Sequence, residues 1–240
     1  MLVRGTPLSE LAARSPLAVI GRVEAAKSDA GEQTVTLAVE QSVLGRVAAG
    51  PLRFSTEGHH PPDYRAGQHV LVFLSGATPP FASRQSALDR IELPKSRKDR
   101  DALVAAVQAW AGLRNVPDRA HRIAQLKTLS LLNLESPSPR ARRESLLDLL
   151  ALGGGNALDA AGIARVAALA SRDDTPPTLG PGLVALLASA NRPEATAALD
   201  RLVASAPSPQ VRTLAAQSLD RRRAATPAAT ESTASKGRES

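Results

Sequence analysis

Four histidines, no cysteine and a scatter of carboxylates are what this 240-residue chain offers for acid–base or metal chemistry. The absence of cysteine excludes disulfides, thiolate metal sites and cysteine nucleophiles within the chain. His59-His60-Pro-Pro-Asp63-Tyr64 is the one cluster with the composition of a metal or acid–base site. Neighbouring histidines in a strand or turn point apart, and no third ligand follows at zinc spacing. The cluster therefore reads as an exposed rim loop. His69 opens a strand and His121 lies in a basic helix, and both read as structural or solvated. Gly153-Gly-Gly-Asn156 lacks the Lys-Ser/Thr of a phosphate loop and reads as a helix end and turn. There is no Gly-x-Ser-x-Gly elbow, and no carboxylate pair is set against a candidate acid. No cofactor is implied. A non-enzymatic chain is the expectation.

Charge supplies a second set of candidates. Residues 1–94 hold nine basic and nine acidic residues, whereas residues 95–240 hold 21 basic and 14 acidic. The cations gather at Lys95, Arg97, Lys98 and Arg100, then at Arg114, Arg119, Arg122 and Lys127. Smaller groups follow at Arg140, Arg142 and Arg143, and at Arg221, Arg222 and Arg223. A basic surface favours nucleic acid, anionic lipid or an acidic protein. Asp99, Asp101, Asp118, Glu135, Glu144 and Asp148 are interleaved with these cations, so a solvated helix face is the competing reading. Candidate partner-binding residues are His59, His60, Asp63 and Tyr64 in the rim loop. On the helices they are Arg97, Lys98, Arg100, Arg119, Arg122, Arg140 and Arg143.

The elements that position these residues fall into two kinds. Leu8–Arg14 reads as a short helix. Strand signals follow at Leu17–Ala25, Gln33–Gln41, Pro51–Thr56 and His69–Leu74, with another within Ser86–Leu93. Val35, Leu37 and Val39 alternate onto one face, and the almost wholly apolar run after His69 reads as a central strand. Five or so short strands in residues 8–93 predict a small barrel. From Ser96 onward the period becomes helical. Ser96-Arg-Lys-Asp99 is a helix start, and Leu103, Ala106, Val107, Trp110 and Leu113 follow on one face. Further helices are expected from Asp118, Pro139, Asp159, Pro181, Pro193 and Pro209. The helix restarting at Pro117-Asp118 runs through Ile123, Leu126 and Leu129 to Leu134, and Trp110 is assigned to burial between repeats. Residues 224–240 contain no large apolar residue and are expected to be a disordered tail.

Two resemblances attach to these segments. Ser15-Pro-Leu-Ala-Val-Ile-Gly-Arg-Val, Val35-Thr-Leu-Ala-Val-Glu-Gln-Ser-Val-Leu-Gly and Tyr64-Arg-Ala-Gly-Gln-His-Val-Leu-Val-Phe-Leu resemble bacterial netrin-module proteins. These have OB-fold-like domains similar to the N-terminal domain of tissue inhibitors of metalloproteinases. The animal inhibitors chelate zinc through an N-terminal cysteine, and this chain has none, so the resemblance implies a fold and not that chemistry. Pro209-Gln-Val-Arg-Thr-Leu-Ala-Ala-Gln-Ser-Leu resembles a HEAT-repeat signature, and Pro139-Arg-Ala-Arg is a looser copy 70 residues earlier. A period near 35 is within the solenoid range. A plain helical bundle is the alternative.

The expectation is an α+β chain: an OB-like barrel over 8–93, HEAT-like helices over 96–223 and a tail over 224–240. The expected function is a non-enzymatic protein-binding scaffold, with another protein as partner. Nucleic-acid binding through the basic helices is one alternative, and protease regulation by a non-cysteine mechanism is another. No run approaches the ~18 apolar residues of a membrane span. Met1-Leu-Val-Arg-Gly-Thr-Pro is too short and polar for a signal peptide. The compartment is cytoplasmic on that reading, and periplasmic or secreted if a signal lies upstream.

Overall fold

The structure is a computed structural model that describes residues 6–29, 32–56, 62–83, 85 and 91–225. It is mixed α+β, and the chain divides into two compact units, Met1–Asp148 and Leu149–Ser240. The first opens with α1 (Leu8–Arg14), as its sequence predicts. Six strands follow: β1 (Leu17–Asp29), β2 (Glu32–Leu44), β3 (Gly50–Thr56), β4 (His69–Leu74), β5 (Phe81–Ser83) and β6 (Ile91–Glu92). Of the strand expected within Ser86–Leu93, Ile91 and Glu92 pair with β4, and residues 86–90 lie outside the described residues. β5 is three residues long, too short to carry a periodic signal. The helical region contains α2 (Arg97–Gly112), α3 (Arg119–Asn133), α4 (Pro139–Ala151), α5 (Ala160–Ala170), α6 (Gly180–Ser189), α7 (Pro193–Ser205) and α8 (Pro209–Ala225).

The strands form one curled sheet, a half-barrel, in the order β5-β3-β2-β1-β4-β6. All neighbours are antiparallel except β3 and β5. The curl has a local cause. The β1–β2 register slips at Ala18/Val19, Ile20/Gly21 and Val23/Ala25, and such bulges bend and twist a strand. Gly21 sits at one slip, where a Cβ would overlap the Ala38 backbone.

Alternation then sends side chains into two separate cores. Val19, Val23, Val35, Leu37, Leu52, Phe54, Val70 and Val72 fill one face with Leu17 and Leu74. Ala18, Ile20, Leu71 and Phe73 point to the other face and meet Leu8 and Ala12 of α1 and Leu103, Val107 and Trp110 of α2. β4 is buried on both faces, which explains its continuous apolar run. Trp110 is fully buried in this second core, as is Ala141 of α4.

Helix α1 has only seven residues and no side-chain cap of its own. Its free N–H groups are met from 136 residues away. Leu8 N–H donates to Glu144 Oε2 at 3.3 Å, and the Ser9 hydroxyl donates to Asp148 Oδ1 at 3.0 Å. The Arg140 Nε lies 2.9 Å from Glu144 Oε1. At the other end of α1, Arg114 Nη2 donates to the Ala12 carbonyl at 3.4 Å. Glu144 and Asp148, which the charge pattern places among solvated surface residues, are only 6% and 4% exposed. They are buried because their partners are backbone and hydroxyl donors at a helix start.

In the second unit α5 packs on α6 and α7, and α8 packs on α6 and α7. The Gly153–Asn156 stretch is more than a helix end. Gly155 N–H donates to Ser189 Oγ at 2.7 Å, Asn191 N–H donates to Asn156 Oδ1 at 2.7 Å, and a Cβ on Gly155 would overlap the Leu186 carbonyl. Arg222 of α8 closes the C-terminal end of α6. It donates to the carbonyls of Leu187 (2.7 Å), Ala188 (3.0 Å) and Ala190 (2.6 Å), and to Thr196 Oγ1 (2.6 Å). Burial lowers the pKa of this guanidinium below its ordinary value.

Two stability outcomes follow from these helix ends. Glu144→Ala removes an acceptor at α1 and leaves Arg140 without its carboxylate, so urea unfolding should show a loss of roughly 2–3 kcal/mol. Arg222→Ala strips several charge-assisted bonds from α6 and should cost roughly 2–3 kcal/mol. Arg222→Lys should recover only part of that in thermal melts, because one ammonium cannot reproduce the planar fork.

Candidate interaction surface

The rim-loop candidates separate on inspection. His59 and His60 lie outside the described residues. Asp63 is exposed and paired with Arg65, Nη2 to Oδ2 at 2.8 Å and Nε to Oδ2 at 3.0 Å. Tyr64, expected to be a contact residue, is only 2% exposed and packs edge-on against Phe54 with centroids 5.6 Å apart. The Gln33 amide holds its backbone on both sides. Gln33 Nε2 donates to the Tyr64 carbonyl at 3.1 Å, and Tyr64 N–H donates to Gln33 Oε1 at 2.9 Å. Tyr64 is thus a core residue of the half-barrel. Gln33 shares parity with Val35, Leu37 and Val39, and that alternation is the sequence signal for its inward position.

The basic candidates also divide. Arg97 and Lys98 are exposed on the first turn of α2, where Ser96 Oγ accepts the Asp99 N–H at 3.4 Å. Arg97 lies 3.5 Å from Asp101. Arg100 is half-buried. Arg119 and Arg122 share the first turn of α3, and both are exposed. Arg143 is exposed on α4, whereas Arg140 is drawn inward by Glu144. Of the later cluster, Arg222 serves α6, Arg223 faces Asp220 at 3.5 Å, and Arg221 is exposed. A hollow of about 460 Å³ opens beside the α6–α7 turn, lined in part by Asn191, Arg192, Thr196 and Arg222. The bonds that Arg222 makes there are those that close α6.

Helix α3 is the element whose packing departs most from its sequence pattern. Asp118 starts it, accepting the His121 N–H at 2.8 Å and facing His121 Nδ1 at 2.7 Å. The backbone N–H of His121, and then its side chain, hold the Asp118 carboxyl below the usual range. Beyond this cap, residues 119–125 are exposed on every side. Ile123 is 44% exposed, while Leu126 and Leu129 are half-buried against the second core and Ser130 is fully buried. The pattern described a helix with one apolar stripe, but the core beneath it ends before the stripe does.

The two histidine–carboxylate contacts, His69 Nε2 to Glu40 Oε1 at 2.6 Å and His121 to Asp118, both face solvent. Among the described residues no serine or threonine hydroxyl joins either pair. Nor do three His, Asp or Glu side chains there form a group able to hold a metal ion. Among the described residues no helix is long and apolar enough to cross a membrane. In comparisons with known proteins, no family model, no curated protein and no solved structure matches the chain.

The Asp118 cap has a pH signature. A carboxyl with a lowered folded pKa stabilises the folded helix start above its unfolded pKa near 4. That contribution disappears as pH falls through the lower folded value. The His121 amide resonance should therefore shift with a midpoint below about 4. Asp118→Ala should abolish the shift and reduce helicity at the start of α3. A midpoint at or above the ordinary aspartate value would contradict this cap.

Proposed function

We propose that the chain is a non-enzymatic, protein-binding scaffold, with an OB-like, netrin-module-like N-terminal part and HEAT-like helices behind it. The observation that carries the reading is α3, a basic amphipathic helix whose first two turns leave both cations and an apolar residue exposed. Such a mixed surface suits a protein partner, since isolated phosphates call for cations alone.

Support for the two scaffolds comes from strand and helix order. An OB-like barrel is a five-stranded, partly open Greek key. The parallel β3–β5 pair, together with the Ser75 N–H donated to the Ala82 carbonyl at 2.8 Å, brings the end of β4 beside β5. That is consistent with a barrel nearing closure. For the repeats, α5–α6 and α7–α8 are hairpins whose first helices touch and whose second helices touch. Stacked pairs of this kind are the packing unit of solenoids. Both Ser-Pro copies also start helices in the same way. Ser138 Oγ accepts the Ala141 N–H at 3.3 Å, and Ser208 Oγ accepts the Val211 N–H at 3.4 Å.

The test is in-solution crosslinking with the full chain, followed by pairwise binding with each purified candidate partner. A partner binding with a dissociation constant in the micromolar range or tighter is the expected result. Affinity for an oligonucleotide with a steep salt slope, and for no protein, would replace this reading with nucleic-acid binding.

A further inference from the structure

We infer that the overhanging start of α3 is a docking site for an acidic, amphipathic peptide segment of another protein; the inference rests on the protein-binding reading above. Arg119, Ile123, Leu126, Ser130 and Asn133 recur at alternating spacings of four and three, so they share one face of the helix. At Ser130 that face is inside the protein, whereas at Ile123 and Arg119 it is in solvent. The helix thus runs past its own core by about two turns, or about 10 Å. Ile123 is central to the uncovered face, and Arg122 and Lys127 flank it.

Charge identifies the occupant. Residues 114–127 contain four basic side chains and one acidic side chain, Asp118. Asp118 is engaged at the helix cap with His121, so it does not neutralise the face. Arg119 and Lys127 have no ion-pair partner among the described residues. The Arg122 guanidinium is held against the Val116 carbonyl, Nη2 at 2.8 Å and Nε at 3.2 Å. A cation fixed in this way loses less side-chain freedom on meeting a carboxylate. Residues 149–225 carry eight basic and six acidic side chains and 226–240 carry two of each, so neither stretch is an acidic complement to this face. A second copy would bring the same positive charge. The complement is therefore a foreign segment with carboxylates flanking an apolar stripe, docking as a helix against a helix face. The apolar centre disfavours bare phosphate as the ligand. The absence of aromatic side chains from α3 removes base stacking.

The test uses the full chain and fluorescence anisotropy with a labelled helical peptide of about 18 residues, Leu on one face and Glu on its flanks. A scrambled peptide of equal charge, a single-stranded oligonucleotide and phosphatidylserine vesicles are the comparators. The designed peptide should bind more tightly than the scrambled one, and binding should weaken at least about tenfold between 50 and 500 mM salt. Arg119→Glu with Arg122→Glu should weaken it by about tenfold or more, and Ile123→Ser by roughly threefold to tenfold. Circular dichroism melts should shift by no more than the loss of the exposed Arg122–Val116 bonds, since neither variant touches the core. Equal binding of the two peptides, or equal binding by wild type and variants, overturns the proposal. So does α3-dependent binding confined to the oligonucleotide or the vesicles. A partner found by crosslinking that binds the Arg119→Glu/Arg122→Glu variant at full strength would remove the α3 site and leave the scaffold reading standing. If neither peptide nor protein partner binds, both fall.

Discussion

A seven-residue helix held at both ends by charge is the constraint on which the first unit depends. α1 is below the length at which a helix is stable by itself, so its order must come from packing and from its termini. Glu144 and Asp148 meet its free N–H end and hydroxyl, and Arg114 meets a carbonyl near its far end. Both signs agree with the helix dipole. Leu8 and Ala12 can then seal the outer face of the sheet together with α2. Without α1 in place, Ile20, Leu71 and Phe73 would lose part of their cover. The curl of the sheet, its second core and the position of α4 up to Asp148 therefore form one interdependent arrangement.

The same device recurs in the second unit with opposite charge. Arg222 spans the last carbonyls of α6, a role for which a planar five-donor fork is better suited than an ammonium. The chain has 25 arginines against five lysines, and some of that excess is structural. Arg114, Arg140, Arg212 and Arg222 each reach a backbone carbonyl or a buried carboxylate. Net charge therefore overstates the freely available positive surface.

Much of the secondary structure was legible because its signals are local. Ser96, Asp118, Ser138 and Asp159 cap helices where their types predict. The β2 alternation and the apolar β4 run correspond to observed strands. What periodicity could not reveal was what covers a face. Tyr64 looked like a rim residue because its neighbours are polar, yet Gln33 and Phe54 fix it in the core. Glu144 and Asp148 looked solvated because they alternate with arginines, and their partners are more than 130 residues away. Ile123 fell on an apolar stripe, and a stripe carries no information on where its core stops. Each of these outcomes turns on long-range proximity. The composition break near Pro94 marks where strands give way to helices, and the second core spans that break.

The long reach of the α1 clamp also orders events during synthesis. A chain made from its N-terminus exposes Ile20, Leu71 and Phe73 before α2 exists, and α1 is uncapped until Glu144 and Asp148 emerge. At about 5–20 residues per second, that leaves an apolar sheet face open for seconds. Exposed faces of this kind are where nascent β structure self-associates. A fragment ending near Pro94 would keep that face permanently open, so the half-barrel is a poor candidate for an independent domain. The bonds that fix the start of α1 over that face come from carboxylates more than 50 residues after its last strand.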